Sequence, residues 1–302
     1  MHKLRRLHSG HWLPEESYRQ VIYAYSKDLF KYTFAIKETN CSVIADRSST
    51  IEEGVFSIIY HRRQLEEYVK GRPSFLYSLR PFHVDEGPRI VRLMASASAK
   101  ANVGPMATVA GVLADLAAEA MTSSGARVAV VENGGEISAI SNRPIDVALL
   151  AGDHQLSGLL GFRLEEFPIG VATSSGVFGH ALSFGEADAV TIFSENAGVA
   201  DAVATAVCNI VKGSDCRKAV KRGINRALSI KDVKGIFILY RGIAGIAGKT
   251  PNVIKIVKEE EQTRIMVRSP GFEPGIASLE GLCPNQPRRR PPSLPMHSVT
   301  FY

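Results

Sequence analysis

The apolar positions change their spacing several times along the chain. Tyr32, Phe34 and Ile36 fall on alternate positions and face one way, and a second run over 41–44 follows the polar break Glu38-Thr39-Asn40. That pattern predicts a β-hairpin over 31–47. Behind it Ile51, Val55, Ile58, Ile59, Leu65 and Val69 recur at helical spacing. Ser49 with Glu52 three residues later predicts a capping box at the start of this helix, and Gly71-Arg72-Pro73 predicts its stop. Pro88 opens a second predicted helix over 88–101. Gly104-Pro105 breaks it, and an alanine-rich third helix is predicted over 106–121.

Short apolar runs then follow one another, at 128–131, 137–140, 147–151, 159–164, 169–172 and 190–193, each bounded by Gly, Asn, Ser or Asp. This is the pattern of a mostly antiparallel sheet. A helix of small residues is predicted over 198–212, a basic amphipathic helix near 215–228, and a final strand over 236–240. Residues 241–248 carry a glycine at every third position and read as a loop. Helices gathered beside a run of strands predict an α+β fold, a mostly antiparallel sheet with packed helices. Residues 1–30 show no clean period and read as an N-terminal arm ahead of a domain spanning 31–250. Residues 251–302 read as a linker and a disordered tail, because seven of the fifteen prolines and Arg288-Arg289-Arg290 fall within 262–302.

Charge adds little until it is divided. The 302 residues hold 36 Lys and Arg against 30 Asp and Glu, for a formal charge of +6. Of this, +2 lies in 1–30 and +3 in 262–302, leaving 26 basic and 25 acidic residues across 31–261. A near-neutral body argues against a nucleic-acid partner. Cys41, Cys208, Cys216 and Cys283 are scattered without metal-site spacing, which predicts reduced thiols and a cytoplasmic protein. The basic start lacks the apolar core of a signal peptide. The apolar stretch 101–121 contains Pro105, Asp115 and Glu119, so it reads as a buried helix with no membrane partner.

Three segments could carry chemistry. In Glu132-Asn133-Gly134-Gly135-Glu136-Ile137, paired glycines after an apolar strand allow positive φ and leave backbone N–H groups uncovered. Such a loop can cradle phosphate or admit a flat ring. Asn-Gly is equally a strong signal for a plain hairpin turn. Thr173, Ser174, Ser175 and Gly176 offer three hydroxyls after another strand, either for a phosphate or for their own solvation. Asp201 and Thr205 lie four apart on one helix face among alanines. A carboxylate and a hydroxyl are hard oxygen ligands that suit Mg²⁺. The alternative is that Asp201 complements a helix dipole and Thr205 bonds back to a carbonyl.

Taken in order, these segments resemble the ApbE superfamily of Mg²⁺-dependent flavin transferases. A Gly-Gly-Asp loop, a Thr-Ser-Gly loop and an Ala-Asp-Ala-x-Ala-Thr helix recur there, matched here by Gly134-Gly135-Glu136, Thr173-Ser174-Ser175-Gly176 and Ala200-Asp201-Ala202-Val203-Ala204-Thr205. Gly111-Val112-Leu113-Ala114-Asp115 is similar to the family's Gly-Tyr-Ala-Val-Asp segment. An ApbE-like subgroup of uncharacterised activity shares Ile36-Lys37-Glu38-Thr39-Asn40, Val103-Gly104-Pro105-Met106-Ala107 and Leu182-Ser183-Phe184-Gly185. The likeness spans about 30–240.

The resemblance implies Mg²⁺ held by Asp201, Thr205 and a carbonyl near 103–106, with FAD, FMN or a similar nucleotide diphosphate held by Asn133, Gly134, Gly135, Glu136, Thr173, Ser174, Ser175 and Gly176. It further implies cleavage or transfer of part of that ligand, and is compatible with a homo-oligomer. Three departures point the other way. Transferases carry His-x-x-Asp-Pro where this chain has Leu182-Ser183-Phe184-Gly185-Glu186, a lysine at the place of Ala110, and Asp at the place of Glu136. His180 lies nearby without matching the family histidine. The alternative expectation is a non-catalytic binding or accessory protein in flavin or reduced-sulfur metabolism.

Overall fold

The computed structural model describes residues 28–149, 151, 157–177 and 184–256 with their side chains, and the backbone alone of 4–6, 12–14, 23–26, 257–258, 263–267 and 275–278. His180, Leu182, Ser183, Cys283 and Arg288-Arg289-Arg290 lie outside the described residues.

Three short strands come first: β1 (Leu4–Arg6) and β2 (Trp12–Pro14), which pair with each other, and β3 (Tyr23–Ser26). The expected hairpin follows as β4 (Leu29–Ile36) and β5 (Thr39–Ala45), with Lys37 at φ +52° in the turn. Helix α1 (Ser48–Gly71) starts one residue before the expected cap, so Ser49 lies inside it and the capping box is not formed. Thr50 Oγ1 instead donates to the Arg47 carbonyl at 2.8 Å, tying the first turn to the residue that precedes it. Pro73 begins the short α2 (Pro73–Tyr77), as the stop signal required. Helix α3 (Arg89–Ala101) ends at Asn102 in the left-handed region. A 3-10 turn (Pro105–Thr108) then leads into α4 (Val109–Ser123).

The apolar runs become β6 (Val128–Asn133), β7 (Glu136–Ser141), β8 (Ile145–Ala148), β9 (Leu160–Leu164), β10 (Ile169–Ser174) and β11 (Ala189–Ser194). Helices α5 (Ala197–Cys208) and α6 (Cys216–Leu228) precede β12 (Val233–Tyr240), β13 (Ile243–Gly248), β14 (Asn252–Lys258), β15 (Thr263–Val267) and β16 (Gly275–Ser278). The glycine-rich stretch read as a loop is therefore strand β13. Its glycines serve packing: Gly242, at φ +77°, completes the tight turn after Tyr240, and a Cβ at Gly245 would collide with Val220 of α6. β14, β15 and β16 all lie beyond residue 250, in the range read as linker and tail.

One sheet has ten strands in the order β16-β13-β12-β11-β10-β7-β6-β5-β4-β3, and a second has four, β15-β14-β9-β8. Every pairing among the described strands is antiparallel. Alternation along each strand decides the layers. In β12, Ile236, Ile238 and Tyr240 pack on the α5–α6 side, while Phe237 and Leu239 face the four-stranded sheet. The same split places Ala129 and Val131 against α1 and α4, and Val128 and Val130 on the opposite face. The fold is α+β, with helices on one face of the large sheet and the small sheet on the other. Coverage of both faces explains why the strands read as near-continuous apolar runs. Among the described residues no single helix is long and apolar enough to cross a membrane; α3 and the 105–123 pair bend by 97° at their break.

Candidate functional site

The site is assembled where α4 and α5 meet beside the β6–β7 hairpin. Glycines set the approach: a Cβ at Gly111 would collide with the Ala197 carbonyl, and one at Gly198 would lie 2.6 Å from Val112 Cγ2. At that separation each helix receives a carboxylate from the other. Asp115 of α4 accepts the Ala197 N–H on Oδ1 at 2.8 Å and the Gly198 N–H on Oδ2 at 2.9 Å. Asp201 of α5 accepts the Gly111 N–H on Oδ2 at 3.1 Å. The three bonds satisfy first-turn amides that have no partner within their own helix, and both carboxylates place negative charge at a helix N-terminus. Asn196 adds a cap from α5's own chain, accepting the Val199 N–H at 3.0 Å.

Asp201 and Thr205 are partly exposed while Ala200, Ala202, Val203 and Ala204 are buried, so the two oxygen-bearing side chains look out of one side of α5. Beside them, Gly134 at φ +69° and Gly135 at φ +112° form the two-residue turn of the hairpin, with Asn133 opposite Glu136 in register. The turn's amides are not uncovered, contrary to expectation. The Gly134 N–H donates to the Asn40 carbonyl at 3.1 Å and the Gly135 N–H to Glu132 Oε1 at 2.8 Å. The neighbouring strand β5 and a carboxylate reaching forward from β6 consume the donors that a phosphate would need. What stays open is the face of Gly135, where a Cβ would meet nothing within 4 Å. Asn133 Nδ2 donates to the Ala110 carbonyl at 3.1 Å and ties the hairpin to the start of α4.

The electrostatics of this corner are one-sided. Burial pushes the Asp201 carboxyl up to about 7; the Gly111 N–H opposes the rise and the nearby Asp115 charge adds to it. Burial likewise raises Glu136 well above the ordinary carboxylate range, helped by the charges of Asp201 and Glu132. Glu132 is raised by burial against the Gly135 N–H, and Asp115 by burial against the Ala197, Gly198 and Ser138 hydrogen bonds. Such a group is either protonated or balanced by a cation. The donors present, the Asp201 carboxylate and Thr205 hydroxyl with Glu136 alongside, are hard oxygens that fit a small divalent ion. Among the described residues no three His, Cys, Asp or Glu side chains converge as a ready-made ligand set, so an ion here would need water, backbone or ligand oxygens to complete its coordination.

The 173–176 segment lies at the far end of α5. Thr173 Oγ1 is 2.9 Å from Thr191 Oγ1, the Gly176 N–H donates to the Ala187 carbonyl at 2.9 Å, and Ser175 Oγ reaches the same carbonyl at 3.4 Å. A Cβ at Gly176 would collide with the Gly185 carbonyl, and one at Gly185 with the Cys208 carbonyl, so the chain is stacked on the last turn of α5. Glu186 fastens this stack: its Oε2 accepts from Tyr240 Oη at 2.7 Å and Arg241 Nη2 at 2.9 Å. Asp201 and Glu136 are thus brought together, with Thr205 one turn further along the helix. The hydroxyl-rich segment serves first as structure. Asp115 and Glu132 stood in segments that the sequence singles out but were given no role of their own; a carboxylate among the small apolar residues of α4 was the available signal for Asp115. Neither of two cavities elsewhere, a hollow of about 600 Å³ over Tyr60, Arg63 and Glu67 and a cleft of about 180 Å³ at Arg163, Lys234 and Lys249, is lined by Asp201, Glu136 or the 173–176 segment.

Residues 23–233 match the family described as AbpE bacteria. A UPF0280 protein of Methanococcus vannielii is 40% identical over 238 residues, covering 77% of this chain and 96% of that protein. UPF0280 protein MJ1526 of Methanocaldococcus jannaschii is 40% identical over 234 residues, covering 76% and 95%. Among solved structures, the apo flavinyl transferase ApbE of Pseudomonas stutzeri is similar with a TM-score of 0.49 at 16% identity, covering 82% of this chain and 96% of that one. The ApbE protein of Thermotoga maritima is similar with a TM-score of 0.47 at 16% identity, covering 73% and 96%. The family match over most of the chain, and relatives covered almost end to end, show that the chain belongs to the AbpE family and, within it, to the ApbE-like UPF0280 proteins.

Proposed function

We propose that the protein binds Mg²⁺ and a flavin nucleotide, FAD or FMN, or a related nucleotide diphosphate, at the α4–α5 corner, and that it cleaves or transfers part of that ligand. The observation that carries this reading is the cluster of half-buried carboxylates, Asp201 and Glu136 flanked by Asp115 and Glu132: burial raises each, the Asp115 charge adds to the rise at Asp201, and the Asp201 and Glu132 charges add to that at Glu136. Asp201 and Thr205 would hold the metal. Bound there, Mg²⁺ would neutralise charge on a diphosphate. Open space over Gly135 supports packing of a flat ring against the turn. The order of the three segments, similar to that of the ApbE transferases, supports a flavin over other nucleotides.

A second reading, a binding or accessory protein without catalysis, is favoured by a separate observation. The Gly134 and Gly135 amides are engaged within the chain and are not free to grip a phosphate. Thermal shift with FAD, FMN and ADP, each with and without Mg²⁺, tests binding. A Mg²⁺-dependent rise that disappears in Asp201→Asn supports the site, and an unchanged melting point with every ligand rejects it. Incubation with FAD and Mg²⁺ separates the two readings, since release of FMN or AMP requires catalysis.

A further inference from the structure

The near-neutral total of residues 31–261 hides a local excess. Between Lys212 and Arg226 the chain carries six cations, Lys212, Arg217, Lys218, Lys221, Arg222 and Arg226, against the single carboxylate of Asp215. The rest of 31–261 then holds 20 basic residues against 24 acidic. Helix α6 buries Ala219, Val220, Gly223 and Ala227 against β12 and β13, which turns Arg217, Lys218, Lys221 and Arg222 to solvent. Positions 217 and 221, like 218 and 222, are about 6 Å apart along the helix axis, so the cations form two short parallel rows.

Other helices pair several of their cations with carboxylates. Arg62 pairs with Glu66 and Glu38, Lys70 with Glu67, and Arg89 with Glu119. Among the described residues Arg217, Lys218 and Lys221 have no carboxylate partner, and Asp215 is spent capping the Lys218 N–H at 2.9 Å. Arg222 binds the Ile210 and Lys212 carbonyls and so closes the end of α5 with its charge unneutralised. A row of unpaired cations on a rigid helix attracts a polyanion.

We propose that the exposed face of α6, with Lys212 ahead of it, binds the phosphate backbone of a nucleic-acid duplex without reading its sequence. The face favours this partner over an acidic protein or an anionic membrane because it carries no apolar anchor. Leu228, at the helix end, is the one large hydrophobic exposed between 212 and 231, whereas protein interfaces and membrane-bound helices need a buried apolar or aromatic centre. The absence of an exposed aromatic in the same stretch also removes the stacking platform that single strands use.

The test is fluorescence anisotropy of the full chain with labelled 20-base-pair DNA and RNA duplexes, their single strands, poly-glutamate and anionic vesicles, from 50 to 200 mM salt. The expected result is duplex binding that weakens steeply with salt. In the combined variant R217Q/K218Q/K221Q, affinity at low salt should fall ~10-fold or more and the log–log salt slope by about 2.7, for three lost phosphate contacts. Glutamine keeps helix propensity, and Lys221→Gln alone, with a slope change of about 0.9, serves if the combined variant unfolds. The variant R288Q/R289Q/R290Q should keep the slope contributed by α6. Absence of duplex binding at 50 mM salt, an unchanged slope in the α6 variants, or equal binding of poly-glutamate or vesicles would each overturn the proposal.

Discussion

Asp115 and Asp201 cap each other's helices. Asp115 on α4 takes the Ala197 and Gly198 amides at the start of α5, and Asp201 on α5 takes the Gly111 amide near the start of α4. The exchange orients the Asp201 carboxylate, because its Oδ2 is fixed by Gly111 and its position on α5 by Asp115. A side chain held in this way is pre-organised for a ligand, at the expense of two carboxylates kept close in a buried corner.

Removing Asp115 should therefore be felt at both helices. Asp115→Ala leaves two buried amides unpaired and strips α5 of its anionic cap, for an expected loss of about 3 kcal/mol. Urea unfolding measures this, and Asp115→Asn, which keeps one acceptor, should lose less. Equal stability of Asp115→Ala and the parent protein would refute the capping role.

The close approach of the helices has its own test. A Cβ at Gly111 meets the Ala197 backbone, which no rotamer change can relieve, so Gly111→Ala should lose about 1–3 kcal/mol. In an isolated helix the same change is favourable by roughly 1 kcal/mol. A stabilised Gly111→Ala would therefore mean that α4 and α5 do not sit this close.

Thr205 separates a metal ligand from a helix-filling residue. Thr205→Val keeps the shape of the side chain and removes its hydroxyl. Stability without added ligand should stay within about 0.5 kcal/mol, while the Mg²⁺-dependent melting shift should shrink or vanish. A full shift in the valine variant would remove Thr205 from the metal site.

Much of this arrangement was legible in the sequence, and the remainder has a physical cause. The hairpin at 31–47, the helix stop at Gly71-Arg72-Pro73 and the strand run from 128 rest on local periodicity, which survives folding. Strand β13 was missed because its glycines answer to α6, a partner more than fifteen residues away. The carboxylate exchange was out of reach for the same reason, since it joins positions 82 to 90 residues apart. The uncovered amide expected at Gly134 failed because only the fold brings Asn40 beside it, and that at Gly135 because the Glu132 side chain, three residues back, turns onto it. Averaging charge over the whole body erased the α6 face.

Acid should loosen the stack on the last turn of α5. The Tyr240 hydroxyl holds the Glu186 carboxyl below the ordinary glutamate range, with Gly213 and Arg241 also lowering it and burial opposing. A depressed value contributes stability above the unfolded pKa of about 4.3, and that contribution is lost as pH falls through the folded value. Glu186 is 45% exposed, so the contribution stays below about 1 kcal/mol. The melting-point gap between the parent protein and Glu186→Gln should be constant from pH 7 to 5 and close below about pH 4.3. A gap still unchanged at about pH 2 would show that the carboxylate charge plays no part.

The carboxylate exchange also fixes when the site comes into being during synthesis. When α4 leaves the ribosome, the amides that Asp115 will bind lie 82 and 83 residues further along the chain and have not yet been made. A nascent chain shorter than 197 residues therefore holds Asp115 in an apolar helix with none of those partners. Closing so long a loop precedes any reward from the contacts it enables, which places the corner late in folding. Hydrogen exchange would then find the Gly111, Ala197 and Gly198 amides opening as one unit, and ligand added during synthesis could be captured only after α5 is complete.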